Sequence, residues 1–304
     1  MGTPEFAAGI LDAILKEGFE VVGVVTAPDK PAGRGMKLQE SAVKRFALQH
    51  GLKVLQPVRL KDPEFLEELE SLNPDVQVVV AFRMLPEAVW KMPPLGTFNL
   101  HASLLPDYRG AAPINWAIIN GETRTGVTTF FIDEKIDTGA VILSREVDIK
   151  PDENAGSLHD RLLETGKEAV TQTLHLIAKG NATATPQPHT ELKEAPKLDR
   201  TNTRINWNAN AKAVYDMIRG LSPYPSAWTV FKDGEQEWTV KIFESAIAPD
   251  KIAAGKVMVE NRRMFVGTLD GSVEILQLQL PGKKRMTTRE VLNGMGFSDN
   301  VVAE

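Results

Sequence analysis

Two uninterrupted apolar runs, each lying among segments with helical periodicity, restrict the fold of the first half of this chain more than any other feature. The runs cover residues 21–26 and 77–82. Strands that are apolar on both faces are typical of parallel sheets with helices on both sides. Amphipathic helices are predicted around these runs, over residues 2–18, 40–50 and 62–72. The pattern therefore predicts an α/β domain over residues 1–180, with a doubly wound, mostly parallel sheet.

The last third of the chain has a different pattern. Residues 181–203 begin with a stretch rich in Thr, Pro and Ala that has no apolar period, which is typical of a linker. A helix is predicted over residues 211–219. Short strands are predicted after it, over residues 227–231, 237–244, 254–259, 263–268 and 273–280. Short strands at this spacing indicate a small β-barrel, which we place at residues 204–304.

Composition excludes several classes of function. The chain has 42% hydrophobic and 25% charged residues, and no apolar run approaches the ~20 residues that span a bilayer. The N-terminus lacks the basic start and apolar core of a signal peptide, so we expect a cytoplasmic protein without a membrane partner. No cysteine is present, and the five histidines share no ligand spacing, so no metal is expected. The net charge of −5 means that any contact with RNA has to use local basic patches.

The most specific polar pattern lies between Phe98 and Trp116. Asn99 and His101 alternate on a predicted strand, which runs into a turn closed by Pro106. In open α/β sheets, ligands bind where strands end at a crevice. Asn99 offers an amide donor, and His101 offers a proton that can move near neutral pH. Taken alone, this pattern fits a buried strand with a hydrogen-bonded core histidine as well as it fits an active site.

Three motifs, in this order, resemble the folate-dependent formyltransferases. They are Asn99-x-His101-x-Ser103-Leu104-Leu105-Pro106, then Arg109-Gly110-x-x-Pro113-x-x-Trp116, and then Ile136-Asp137-Thr138-Gly139. The resemblance covers nearly the whole chain. It implies a Rossmann-like catalytic domain, a C-terminal OB-like barrel, and transfer of a formyl group from 10-formyltetrahydrofolate to an amine.

The same resemblance implies the roles of individual residues. Asn99 and protonated His101 would donate hydrogen bonds to the oxyanion that develops when the amine attacks the formyl carbon. Asp137 would hold His101 in its active state and assist proton transfer, although Asp-Thr-Gly alone is a common turn. Folate would be bound by two segments, Ser103, Leu104, Leu105 and Pro106 in one and Phe82, Arg83, Met84 and Leu85 in the other. For the second segment, a strand end with an apolar loop is an equally simple interpretation.

Two basic segments indicate which amine is the acceptor. The first runs from Lys30 to Lys37 and contains Arg34 within a Pro-Ala-Gly-Arg-Gly loop, which is similar to one in the family members that formylate methionyl-tRNA. The second is Lys283, Lys284 and Arg285, in the predicted barrel. Each segment alone also fits a solvated surface run. We expect the acceptor to be initiator methionyl-tRNA, used in translation initiation, and the enzyme to be a monomer without an obligate protein partner. The alternatives are a formyltransferase for a sugar nucleotide or glycinamide ribonucleotide, and a catalytically inactive RNA-binding relative.

One part of the family pattern has no counterpart in this sequence. In the resembled family a β-strand normally precedes the Gly2-Thr3-Pro4-Glu5-Phe6 turn, and here the turn follows Met1 directly. Either the protein starts upstream of Met1, or two strands of the sheet are separated by a gap.

Overall fold

The computed structural model describes residues 1–32, 37–188 and 192–304. Within them the chain forms two compact units that are interleaved in sequence. The first contains residues 1–109, 126–147 and 160–193, and the second contains residues 110–125, 148–159 and 194–304. These units are groups of residues that pack together, so the domain boundaries at residues 180 and 204 stay a prediction.

Several helices begin at a residue whose side chain accepts a hydrogen bond from a backbone N–H of the first turn, or at a proline in the first turn. Ser41 accepts a hydrogen bond from the Lys44 N–H (3.0 Å), and Asp62 accepts one from the Glu64 N–H (3.2 Å). No helix in the described ranges is long and apolar enough to cross a membrane. The helices are α1 Glu5–Lys16, α2 Ala42–Gln49, α3 Pro63–Ser71, α4 Glu87–Trp90, α5 Pro113–Ile119, α6 Ala155–Ala178, α7 Ala211–Gly220 and α8 Thr288–Gly294.

The strands lie close to the predicted positions. One difference is a short hairpin formed by the second and third strands, where the sequence predicted only a polar loop. In chain order the strands are β1 Val24–Val25, β2 Lys30–Ala32, β3 Lys37–Gln39, β4 Val54–Leu55, β5 Gln77–Val80, β6 Thr97–His101, β7 Arg109–Gly110, β8 Arg124–Phe131, β9 Val141–Asp148, β10 Glu194–Ala195, β11 Ala227–Asp233, β12 Gln236–Ala248, β13 Val257–Glu260, β14 Arg263–Gly267, β15 Ser272–Gln279, β16 Met286–Thr287 and β17 Val302–Ala303.

The first unit is built on a mixed sheet with the order β5-β6-β8-β9. β5 and β6 are parallel, with Val79 opposite Asn99, whereas β6 and β8 are antiparallel, with His101 opposite Thr128. β1 and β4 form a separate parallel pair. Apolar residues of α3, β5 and α4 pack together beside this pair, among them Phe65, Val79 and Val89. The predicted α/β class is confirmed, and β6 lies inside its sheet with a neighbour on each side.

A gap separates β1 from β5, and the start of the chain lies in it. The Gly2 N–H donates to the Val25 carbonyl (3.0 Å), the Val80 N–H donates to the Met1 carbonyl (2.9 Å), and the Met1 amino group donates to the Val78 carbonyl (2.6 Å). Beside these contacts lies a cavity of about 330 Å³, lined largely by apolar residues. Burial lowers the pKa of the Met1 amino group to about 5. The extended backbone at Met1 and Gly2 is also why α1 begins at Glu5 and not at the predicted residue 2.

The second unit contains an antiparallel sheet that curls into a nearly closed barrel. Its strand order is β13-β14-β15-β12-β11-β17, and β16 pairs with β15. The two ends of this order meet where Lys256 bridges Val302 and the Val257 N–H donates to the Val301 carbonyl (3.1 Å). Closure pairs the edges that an open sheet would expose. The barrel encloses a core that includes Phe231, Ile242, Met264 and Ile275, and the OB-like prediction is confirmed.

We predict that a chain extended upstream of Met1 by five or six apolar residues unfolds at a higher temperature than the chain that begins at Met1. Within the described residues, the facing edges of β1 and β5 are bridged at Met1 and Gly2 alone. An added strand would pair backbone groups that each cost roughly 1–3 kcal/mol when buried without a partner. Thermal melts of both chains measure the difference, and a Gly/Ser extension of equal length is the control. Equal Tm values for all three chains would contradict the prediction.

The difference in stability should also depend on pH. The pKa of the Met1 amino group is 8.0 in its ordinary state and about 5 in the fold, so the unfolded chain binds more protons between these values. The free energy of unfolding therefore falls as the pH drops from 8 toward 5. Extension removes the amino group from the gap, so the extended chain should lack this contribution. Melts at several pH values in this range should show the difference in Tm between the two chains becoming smaller as the pH rises, and a difference that does not change with pH would contradict this prediction.

Candidate active site

Asn99 and His101 lie on one face of β6, because alternate residues of a strand point to the same side. His101 is buried, with 6% of its surface exposed, and Asn99 is half-buried. β5 and β8 flank β6, so the backbone at Asn99 is paired on both sides, opposite Val79 and Phe130, and the backbone at His101 is paired with Thr128 of β8. The strand therefore presents an amide and an imidazole from a rigid support.

The two ring nitrogens of His101 have different neighbours. Nε2 lies 2.8 Å from the carbonyl oxygen of Tyr108. A carbonyl oxygen only accepts hydrogen bonds, so Nε2 carries a proton and donates it to Tyr108. Nδ1 faces the Asp137 carboxylate, with 3.8 Å between Nδ1 and Oδ2. A proton that reaches Nδ1 would therefore lie beside a negative charge.

Asp137 is held in a tight turn between β8 and β9. Its φ of +55° lies in the left-handed region, which is uncommon for a residue with a side chain. Gly139 is required two residues later, because a Cβ there would lie 1.6 Å from the Phe131 carbonyl oxygen. The Thr138 hydroxyl donates to Asp133 Oδ1 (2.6 Å), which closes the turn. The Asp-Thr-Gly turn thus directs the Asp137 carboxylate toward His101, and it does so with Asp137 in an unfavourable backbone conformation.

A buried threonine that the sequence analysis did not identify organises the loop after β6. The Thr128 hydroxyl donates to the Ser103 carbonyl (2.7 Å) and accepts from the Leu105 N–H (3.2 Å). Ser103 donates in turn to the Asp107 carbonyl (2.7 Å), and the Leu105-Pro106 peptide bond is cis. Thr128 lies on β8 directly opposite His101, a register that only strand pairing reveals.

The second predicted folate segment makes local contacts of its own. Arg83 donates to the carbonyls of Val58 (2.9 Å) and Pro57, and its guanidinium lies 5.5 Å from the centre of the Phe82 ring. Leu85 is buried in the core of the first unit, and Met84 is exposed. The folate-binding role of these four residues stays a prediction.

The basic residues lie on two separate segments. Lys30 begins β2 and Lys37 begins β3 of the hairpin in the first unit, and Arg34 lies outside the described residues. In the second unit, Lys283, Lys284 and Arg285 are exposed between β15 and β16. Arg285 donates to Gln277 Oε1 (2.6 Å), and its guanidinium lies 4.7 Å from the centre of the Phe243 ring, so it is the most firmly held of the three.

The predicted linker also reaches the site, through a residue that the sequence analysis did not single out. Gln187 is 8% exposed, and its amide nitrogen donates to the carbonyls of Asp137 (2.9 Å) and Gly139 (2.8 Å). Its amide oxygen accepts from Arg109. No group of three potential metal ligands occurs in the part of the chain that the structure describes. The polar groups gathered here suit acyl transfer, which needs oxyanion donors and a proton carrier.

Comparison with known proteins shows which family the chain belongs to. The family profile "Formyl transferase" matches residues 1–174, and "Formyl transferase, C-terminal domain" matches residues 197–296. The methionyl-tRNA formyltransferase of Flavobacterium johnsoniae is 56% identical over 302 residues, which are 98% of this chain and 96% of that protein. The corresponding protein of Bacteroides fragilis strain ATCC 25285 is 50% identical over 307 residues, which are 98% and 95% of the two chains.

Among solved structures, an N-formyltransferase from Helicobacter canadensis in complex with folinic acid and dTDP-3-aminofucose has a similar fold. The TM-score is 0.64 at 20% sequence identity, and the match covers 94% of this chain and 97% of that one. This likeness concerns the fold alone. The two family profiles match most of the chain and the two curated relatives cover 98% of it, and on this basis the chain belongs to the formyl transferase family.

Proposed function

We propose that this chain transfers the formyl group of 10-formyltetrahydrofolate to the α-amine of the methionyl group of initiator methionyl-tRNA, for translation initiation. One observation carries the proposal. The buried His101 imidazole, which shares a face of β6 with Asn99, lies 3.8 Å from the Asp137 carboxylate. This arrangement occurs in a chain that is 56% identical to a methionyl-tRNA formyltransferase. The enzyme needs no metal in this scheme, because the amine attacks the formyl carbon directly.

The residues around His101 suit the charges and protons of this reaction. As the amine attacks, negative charge develops on the formyl oxygen, and donors placed in advance stabilise it most. Asn99 supplies a side-chain amide for this oxygen. His101 Nδ1 becomes a second donor once it has taken the proton of the attacking amine, because Nε2 is already bonded to Tyr108. The Asp137 carboxylate faces Nδ1, and its negative charge stabilises the imidazolium form until the proton is passed on.

Proton balance assigns a second task to the same pair. The attacking nitrogen has to lose a proton, and the folate nitrogen has to gain one before it leaves. A histidine can accept the first proton and return the second near neutral pH, with no covalent intermediate on the protein. The folate would lie along the backbone of Leu104, Leu105 and Pro106, which Thr128 holds from β8, and beside residues 82–85.

The acceptor distinguishes this proposal from its closest alternative. Sugar N-formyltransferases occur among the similar solved structures at 15–24% identity, which supports the fold and leaves the acceptor open. The curated relatives at 47–57% identity are methionyl-tRNA formyltransferases. The two basic segments give an acidic chain local sites for phosphate groups. We further propose that the enzyme acts in the cytoplasm and that it is a monomer. Sedimentation of the purified chain would test the oligomeric state.

The roles of the central residues predict how their removal affects turnover. Replacing Asn99 or His101 with Ala should lower kcat by about 10²-fold or more, the usual cost of losing one oxyanion donor. Binding of methionyl-tRNA should change little, because neither side chain is placed to hold the nucleic acid. Single-turnover formylation and filter binding of the charged tRNA measure the two quantities separately.

His50→Ala is a matched control for this experiment. It removes an imidazole from the exposed end of α2, where the ring stacks on Phe46. Its kcat should equal that of the unaltered chain. A His101→Ala enzyme with nearly normal turnover would refute the assigned role of this histidine.

Removing charge from the two basic segments should affect different kinetic constants. Arg34 would act near the aminoacyl end, so Arg34→Ala should lower kcat as well as affinity, since a guanidinium can pair with phosphate or stack on an unpaired base. Changing Lys283, Lys284 and Arg285 to Gln should mainly raise KM and flatten the salt dependence of binding, as expected for phosphate contacts. Steady-state kinetics on initiator methionyl-tRNA at two ionic strengths test both expectations.

Control variants that remove the same number of positive charges at other positions distinguish direct contacts with the tRNA from the effect of the protein's net charge. Lys251, Lys256 and Arg262 are exposed residues of the second unit, and their joint change to Gln removes the same three charges elsewhere. Arg45→Ala removes one exposed guanidinium from the first unit. If either basic segment behaves like its control at both ionic strengths, that segment does not bind the tRNA.

A further inference from the structure

The segment that the sequence predicts as a linker is bonded to the loops of the candidate active site. Thr185 and Val141 exchange two backbone hydrogen bonds of 2.8 Å at the start of β9. Further along, the Lys193 N–H donates to the Asp107 carboxylate (3.3 Å), and the Lys193 carbonyl accepts from the Tyr108 N–H. Residue 185 is thus fixed at the start of β9, just after the Asp137 turn, and residue 193 is fixed to the loop that contains Tyr108. Gln187 lies between them in sequence.

The partners of Gln187 determine which way its side-chain amide points. Arg109 donates to the amide oxygen from Nε (3.1 Å) and Nη2 (2.6 Å), and a guanidinium can only donate. The amide nitrogen therefore faces the two carbonyls of Asp137 and Gly139, which can only accept. Both hydrogens of the amide nitrogen and the oxygen are used, at a site that is largely shielded from water. The orientation follows from the chemistry of the partners.

These contacts fall on the backbone that aims the Asp137 carboxylate. Asp137 has a left-handed φ, a conformation that costs energy unless neighbouring contacts hold it. Gln187 holds the carbonyl of Asp137 itself and the carbonyl two residues later, so it spans the turn. A carboxylate at 3.8 Å from His101 Nδ1 would move appreciably if this turn relaxed.

We propose that Gln187 is a positioning residue, which holds the Asp137 turn so that the carboxylate faces His101 during formyl transfer. The proposal rests on the proposed function, because it assigns Gln187 a part in the same reaction. Gln187 acts through Asp137 and does not itself touch the reacting atoms. Its bond to Arg109 fixes the amide in the orientation that the turn requires.

Two substitutions separate the turn from the arginine. Gln187→Met keeps the length of the side chain and removes every hydrogen bond. Gln187→Glu keeps an acceptor for Arg109, but it places carboxylate oxygen where the carbonyls of Asp137 and Gly139 need a donor. We expect both variants to lower kcat by about 10- to 100-fold with little change in KM, the cost of a misplaced catalytic group. A Gln187→Glu enzyme with normal kcat would overturn the proposal, because the arginine contact alone would then suffice.

A double-mutant cycle with Asp137→Ala distinguishes positioning from general structural support. If Gln187 works through Asp137, Gln187→Met should lower the single-turnover rate constant in the unaltered chain and have no further effect on it in the Asp137→Ala chain. Equal decreases in both chains would overturn the proposal. Because residual turnover of Asp137→Ala can be small, amide hydrogen exchange gives a second measure: residues 133–139 should lose protection in Gln187→Met, and unchanged protection there would also overturn it.

Gln172→Met is the matched control, since Gln172 also accepts a hydrogen bond from an arginine, Arg145, on the exposed face of α6. Its kcat should be unchanged. A chain that formylates a small amine and not methionyl-tRNA would refute the proposed acceptor, yet the cycle could be run with that amine. Failure of the proposed function and failure of the Gln187 proposal are therefore separate results.

Discussion

The hydrogen bond from His101 Nε2 to the Tyr108 carbonyl is the constraint on which the site depends. It fixes the ring in a plane, it fixes the nitrogen that carries the permanent proton, and it leaves Nδ1 as the only nitrogen free to exchange one. Tyr108 can accept this bond because its loop is held by the Lys193 carbonyl and by the turn after Ser103. Contacts far apart in sequence thus converge on one imidazole.

The sheet supports this arrangement because β6 is paired on both sides. Paired strands resist displacement, whereas loops at the end of a sheet can be adjusted by a few hydrogen bonds. Thr128 holds one of these loops and Gln187 holds the other, and both side chains are buried with their polar atoms bonded. The active-site geometry therefore comes from a rigid strand and two anchored loops.

The gap between β1 and β5 lies in the same unit, on the side of the sheet away from β8. The first two residues bridge it with three backbone hydrogen bonds, at the cost of burying an amino group. The second unit has the opposite character, since its barrel pairs its own edges and surrounds an apolar core. The edges of β1 and β5 thus meet through two residues, whereas the barrel pairs its edges with one another.

The sequence by itself determined the class of both units, and it supplied the prediction of the central residues. Apolar runs, helical periods and caps depend on neighbouring residues, so helices such as 62–72 and the short barrel strands were predicted within a few residues. Asn99, His101 and Asp137 were predicted as site residues because they lie in short, specific motifs, and the structure places His101 and Asp137 3.8 Å apart. Tertiary structure alone decided which residues support them. Thr128 and Gln187 join the site through strand register and through contacts across 25 to 50 residues of chain, and local sequence carries no signal for such distances.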